Sequence, residues 1–185
     1  MKRSNLFGGV VAALLMLISS CQSKEGFELI DAQSAGIDFE NLLDQKENIT
    51  ILDYLYYYNG GGVAVGDVNG DGLADIFLSA NQGENKLYLN KGDWKFENVT
   101  EKSGITKKSS WNTGAVMADV NGDGHLDIYV CAVVGINGFY GFNELYINDG
   151  SGQFSERAAE YGLDLDTYST AASFFDYDLD GDLDV

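Results

Sequence analysis

Asp67-Val68-Asn69-Gly70-Asp71-Gly72-Leu73-Ala74-Asp75 is followed by Asp119-Val120-Asn121-Gly122-Asp123-Gly124-His125-Leu126-Asp127 and by Asp176-Tyr177-Asp178-Leu179-Asp180-Gly181-Asp182-Leu183-Asp184. All three stretches put side-chain oxygens at positions 1, 3, 5 and 9 around a glycine at position 6. Ca²⁺ is a hard cation that takes about six to eight oxygens in a flexible shell, and a loop that turns alternate side chains inward supplies most of them. Position 7, occupied by Leu73, His125 and Asp182, would add a backbone carbonyl. The glycine permits the positive φ that turns the chain round an ion.

The flanks decide which calcium loop this is. An EF-hand places a bidentate Glu at position 12 between two helices. Position 12 here is Leu78 in the first copy and Val130 in the second, which excludes the EF-hand and also dockerin-type loops. The residues leaving the loops, Asp75-Ile-Phe-Leu-Ser-Ala80 and Asp127-Ile-Tyr-Val-Cys-Ala132, are rich in β-branched and aromatic side chains and read as strands. A plain hydrophilic turn also favours Asp, Asn and Gly. It has no need of a carboxylate at positions 1, 5 and 9 in every copy. The third copy carries five carboxylates in nine residues, whose mutual repulsion makes it the copy that most needs a cation.

Composition agrees. The chain has 29 acidic against 11 basic residues and a formal net charge of −18, and 11 of its Asp residues lie in the three loops. That balance argues against nucleic-acid binding, which requires a basic face. It does not signal disorder, because 45% hydrophobic and 12% aromatic content is enough to bury a core.

Residues 1–21 read as an address. Lys2 and Arg3 form a basic start, Leu6 to Ile18 an apolar stretch, and Ile18-Ser19-Ser20-Cys21 a small-residue ending before a cysteine. The apolar run is short for a membrane span. This pattern resembles the lipobox of bacterial lipoproteins, which implies lipidation of Cys21, membrane attachment through that lipid alone, and a place in the bacterial cell envelope. The outer membrane is the expected site, on its periplasmic or surface side. Residues 22–26 read as a short polar tether. With Cys21 lipidated, Cys131 is left as a single small core residue, and no disulfide is expected.

Beyond the tether the chain repeats itself. The loops begin 52 and 57 residues apart, and each unit reads as four strands. The first is small and apolar and enters the loop: Gly62–Gly66, Gly114–Ala118 and Ala171–Phe175. The second leaves the loop. The third is Asn85–Asn90 and Asn143–Asn148, each ending at a hairpin turn. The fourth is Trp94–Thr100 and Gln153–Arg157, followed by a connector ending at Ile105 or Leu163. Four short strands recurring every fifty-odd residues describe a β-propeller blade, with small residues where inner strands crowd toward an axis. An all-β sandwich suits the alternation equally well, but it has no reason to repeat a unit of this length with a loop at a constant place. The fold class is therefore all-β, a partial β-propeller of four-stranded blades with calcium-binding loops and an incomplete ring.

The segment Phe27–Ile37 echoes Phe96–Ile105, a fourth strand with its connector. It reads as an outer strand that completes a blade begun at the other end of a ring. The expected organisation is a closing-strand segment at 27–58, blades at 59–105 and 106–163, and the start of a third at 164–185. Only Val185 follows Asp184, so the sequence reads as the N-terminal part of a longer protein.

The units resemble FG-GAP/VCBS repeats, the blades of integrin-α-type propellers. The run from Tyr58-Asn-Gly-Gly-Gly62 through Asp127 resembles bacterial lipoproteins related to cartilage acidic protein and to ASPIC/UnbV proteins. The resemblance implies structural Ca²⁺ between the first and second strands of each blade. The ligands would be Asp67, Asn69, Asp71, Leu73 and Asp75 in the first loop, Asp119, Asn121, Asp123, His125 and Asp127 in the second, and Asp176, Asp178, Asp180, Asp182 and Asp184 in the third. The Phe-Gly and Gly-Ala-Pro words that give the family its name are absent, and the chain has no proline.

The function expected from this reading is a non-enzymatic module outside the cytoplasm that binds a protein or a glycan on a calcium-stiffened scaffold. The alternative is the leading part of a polysaccharide-acting enzyme whose catalytic residues lie beyond Val185. No catalytic residue is assigned: the lone histidine, His125, lies in a loop, and no nucleophile elbow, Cys/His pair or zinc spacing occurs. Tyr54-Leu-Tyr-Tyr-Tyr58 and the insertion Gly135–Phe142 could each form a sugar-stacking surface; packing is the favoured reading for the tyrosines, whereas the insertion suits either.

Overall fold

The computed structural model describes residues 26–44 and 49–185. The leader with Cys21, and residues 22–25 of the tether, lie outside them. Two antiparallel sheets carry the fold. The first contains β1 (Val63–Gly66), β2 (Asp75–Leu78), β3 (Lys86–Asn90) and β4 (Phe96–Asn98); the second contains β5 (Asn112–Ala118), β6 (Asp127–Ala132), β7 (Glu144–Asn148) and β8 (Phe154–Glu156). Strand order follows the sequence in both sheets, as in a propeller blade. The structure is thus a partial β-propeller without a closed ring. Gly66 pairs with Asp75 and Ala118 with Asp127, so both acidic loops hang from the same rung.

The blades pack face against face. Ala64, Phe77, Leu87 and Val99 of the first meet Ile128, Val130, Tyr146 and Phe154 of the second in one buried core. The other face of the second blade buries Tyr129, Cys131, Leu145 and Ile147 against Ala172 and Phe174 of the third unit. Every residue of β6 is consequently buried, which explains why its sequence after Asp127 is a continuous apolar run rather than alternating. Burial pushes the Cys131 thiol up to about 11, as expected of an inert core residue.

Close approach explains the small residues of the inner strands. A Cβ on Gly62 would sit 2.4 Å from the Ala115 nitrogen, and one on Gly114 would sit 2.6 Å from the Thr170 carbonyl oxygen. Each inner strand therefore begins with its backbone against the backbone of the next unit. The connectors are built in the same way. A Cβ on Gly36 would meet the Phe96 carbonyl oxygen at 2.4 Å, and one on Gly104 the Phe154 carbonyl oxygen at 2.7 Å.

The connector part of residues 27–37 shares this geometry. The connector half forms: Asp31 accepts a hydrogen bond from the Ser34 N–H and caps the short helix α1 (Ala32–Ala35), and Gly36 docks on β4 as Gly104 docks on β8. Residues 27–30 pair with no strand among the described residues. Phe27 and Leu29 are fully exposed, because no third strand lies beside them among the described residues. The expected first strand of the third unit, Ala171–Phe175, is likewise not a strand. Phe175 and Asp184 exchange both backbone hydrogen bonds in the register of Gly66 with Asp75, and the pair stands as an isolated bridge. The fourth strand is also shorter than Trp94–Thr100, since Asp93 and Trp94 take φ of 50° and 57° and belong to the turn. A second short helix, α2 (Ala158–Tyr161), forms the connector after β8.

The tyrosine cluster divides. Tyr54 and Tyr57 are buried with Trp111, Val133 and Phe139, whereas Tyr56 and Tyr58 are exposed. The insertion contributes Phe139, stacked on Trp111 at 4.6 Å, so its aromatic centre is packing while Tyr140 is exposed.

Candidate metal centre

The two complete loops are wired alike. Asp67 at position 1 accepts hydrogen bonds from the backbone N–H groups of Gly70, Asp71 and Gly72 at 2.8, 3.2 and 2.7 Å. Asp119 accepts from Asp123 and Gly124 at 3.0 and 2.8 Å. At position 3, the Asn69 and Asn121 carbonyl oxygens accept from the backbone N–H two residues on, each at 3.0 Å. At position 5, Asp71 and Asp123 accept from the N–H groups of Leu73 and His125, both at 2.9 Å. The chain curls around its own side chains as the spacing predicts. Backbone N–H groups, Gly72 foremost, hold the Asp67 carboxyl below the usual range, and the His125 N–H does the same for Asp123.

Position 9 differs in character. Asp75 and Asp127 are fully buried, and both oxygens of each accept backbone hydrogen bonds. Asp75 ties the Val68 N–H at 3.0 Å to the Asn90 N–H at 2.8 Å; Asp127 ties Val120 and Asn148 at the same two distances. The carboxylate therefore fastens position 2 of the loop to the end of the third strand. Burial raises both carboxyls against the pull of those amides, so charge here is costly unless something positive approaches.

In the third loop the oxygens of Asp176, Asp178 and Asp184 lie within 4.8 Å of one another. Asp184 accepts from the Tyr177 N–H at 2.8 Å, repeating the position-9 tie to position 2. A side-chain hydrogen bond with Asp180, and then the charge of that carboxylate, push the neighbouring Asp182 carboxyl up. Positions 1, 3 and 9 of the first two loops carry Asp, Asn and Asp, so the equivalent positions there offer two carboxylates and an amide. A donor set made of carboxylate and amide oxygens suits a hard divalent cation such as Ca²⁺ and offers nothing to a soft one. At position 7 the Leu73 and His125 side chains are exposed, and a Cβ on Gly150 would touch the His125 ring.

Three groups escaped the sequence reading. Asn90 and Asn148 close the hairpin after the third strand by accepting from Gly92 and Gly150. Asn148 also donates to the Val68 carbonyl oxygen at 2.7 Å, so the first loop is tied to the second blade. At the other end of the strand, Asn85 and Asn143 accept from the N–H groups of Ala80 and Ala132 at 3.0 and 2.8 Å. The signal was present as matched asparagines at both ends of Asn85–Asn90 and Asn143–Asn148. Glu144 gave no such signal, since its counterpart in the first blade is Lys86.

Consecutive four-stranded blades, each bearing an acidic loop between its first two strands, define a protein of propeller repeats. Residues 67–130 and 132–185 match the FG-GAP-like repeat family, and the chain belongs to that family. Cartilage acidic protein 1 of Xenopus tropicalis is 36% identical over 72 residues, 39% of this chain and 11% of that protein. The Homo sapiens protein of that name is 35% identical over the same length. Integrin alpha-6 of Gallus gallus is 28% identical over 162 residues, 78% of this chain and 14% of that protein. The chain thus spans 11% to 14% of the length of these relatives.

Proposed function

We propose that this chain is a calcium-stiffened, non-catalytic binding module of the bacterial cell envelope, anchored by lipid on Cys21 and presenting one end of its blades to a protein or glycan. The observation that carries the metal part is the shared wiring of the loops together with the carboxylate corner of Asp176, Asp178 and Asp184. Positions 1, 3, 5 and 9 of each loop, with the position-7 carbonyl, would hold the ion. The ion would supply positive charge where buried and crowded carboxylates lack it. Its role is structural, because the same side chains organise the loop backbone. Kinship with a protein named integrin alpha-6 supports the adhesion or binding reading. The basic, apolar and small-residue order of residues 1–21 supports the envelope address.

Thermal unfolding of the full chain in EDTA and in millimolar Ca²⁺ tests the metal. An ion present at a hundred times its Kd stabilises the fold by ~2.7 kcal/mol, which raises the midpoint by several degrees. Identical melting curves, together with no Tb³⁺ luminescence sensitised by Tyr177, would remove calcium from the proposal. Metabolic labelling with an alkyne fatty acid tests the anchor: label should enter the wild type and vanish in Cys21→Ser, and equal labelling of the two would exclude it.

A further inference from the structure

β1 and β5 run toward the acidic loops, so the residues that precede them lie at the opposite end of the blades. A cavity of about 180 Å³ opens there between the approaches to β1 and β5 and the start of the third unit. Tyr54 and Tyr56 line it, and Tyr168 stands against both; the three ring centroids are 5.9, 5.9 and 6.3 Å apart with planes crossing at 67° to 69°. Tyr54 is buried beneath, while Tyr56 and Tyr168 are 50% and 42% exposed. Asn59 and Thr170 line the same cavity and are exposed. Trp111 also lines it, is fully buried, and has an indole N–H without a hydrogen-bond partner among the described residues.

This lining has the chemistry of a sugar site. A pyranose presents an apolar C–H face to aromatic rings, and a rim of hydroxyls that both donate and accept. Asn59 and Thr170 can do either. The volume is well below the ~300 Å³ of a drug-sized pocket, which limits the occupant to one small ring. A chain of net charge −18 repels acidic sugars and phosphates. The tyrosine rings pack edge to face on one another, so they form a platform rather than the enclosing cage that a quaternary ammonium group requires. We propose that this cavity binds a single neutral pyranose, with Tyr56 and Tyr168 as the stacking platform. The proposal deepens the binding-module reading and rests on it.

The test titrates the full chain with the methyl glycosides of glucose, galactose, mannose and N-acetylglucosamine, followed by saturation-transfer NMR and tryptophan fluorescence. Glucuronic acid and choline serve as counter-probes. At least one neutral glycoside should bind, and Tyr56→Ala and Tyr168→Ala should each weaken it by about tenfold, while Tyr56→Phe stays close to wild type. Both alanine sites are partly exposed, and melting curves confirm that each variant folds. Binding of none of the four, equal binding by wild type and both alanine variants, or preference for glucuronic acid or choline would overturn the proposal. Calcium melts on the same samples keep the outcomes apart: stabilisation by Ca²⁺ without glycoside binding removes only the sugar site. Glycoside binding accompanied by cleavage would keep the cavity and remove the non-catalytic reading.

Discussion

Both oxygens of Asp75 are committed to the Val68 and Asn90 backbone N–H groups, whereas Asp71 holds only Leu73 and Asn69 within its own loop. The two residues should therefore respond differently to metal. Asp75→Ala leaves two backbone donors unmet and should cost ~1–3 kcal/mol for each, in EDTA as well as in Ca²⁺. Asp71 is exposed, and Asp71→Ala should fall within ~0.5 kcal/mol of wild type in EDTA while losing part of the calcium stabilisation. Urea melts of both variants with and without Ca²⁺ check the contrast, and equal losses in EDTA would refute it. The pattern of acidic positions was legible from spacing alone. The second duty of position 9 was not, because its partner Asn90 comes from another strand and only the hairpin brings the two together.

At the level of elements, the contact that governs packing is backbone on backbone between inner strands. Gly114→Ala would place its Cβ 2.6 Å from the Thr170 carbonyl oxygen, which has no flexible end to move away. Overpacking of this kind costs ~1–3 kcal/mol. The variant should melt correspondingly lower, and a melt unchanged from wild type would show that the units can slide apart freely. The first strands were readable as small and apolar, and the four-strand unit was readable from its period. Strand ends were less so. Trp94 reads as a strand residue by its side chain but sits at positive φ in the turn. Residues 27–30 and 171–175 have strand-like sequences yet make no ladder, because a strand exists only where a partner offers its hydrogen bonds.

Across the whole molecule the two blades are joined by a linker that neither repeat announces. The Lys107 ammonium donates to the carbonyl oxygens of Ala80, Asn81 and Gly83 in the first blade at 2.9, 2.7 and 3.0 Å. Buried Glu144 in the second blade accepts from the backbone N–H groups of Lys108 and Ser109. Burial pushes the Lys107 amine down to about 8 from 10.5, with Glu144 and Glu84 pulling the other way. Between those two values the unfolded chain keeps a proton that the folded chain has released, so stability rises with pH across that window. Relative to Lys107→Met, the wild type should gain stability from pH 8 to pH 10.5 and show a flat difference below pH 8. Denaturant midpoints of both proteins through this range check it, and a flat difference throughout would place the amine at its ordinary value. By itself, the sequence determined the all-β class, the blade repeat and the acidic loop positions, because these rest on spacing within a few residues and on a recurring period. Only the tertiary structure decided which tyrosines are buried, that the connector of one unit docks on the fourth strand of the next, and that Lys107, Glu144 and Asn148 clamp neighbouring blades. Those contacts join residues far apart in the chain, and their partners follow from where the sheets stack rather than from any local pattern.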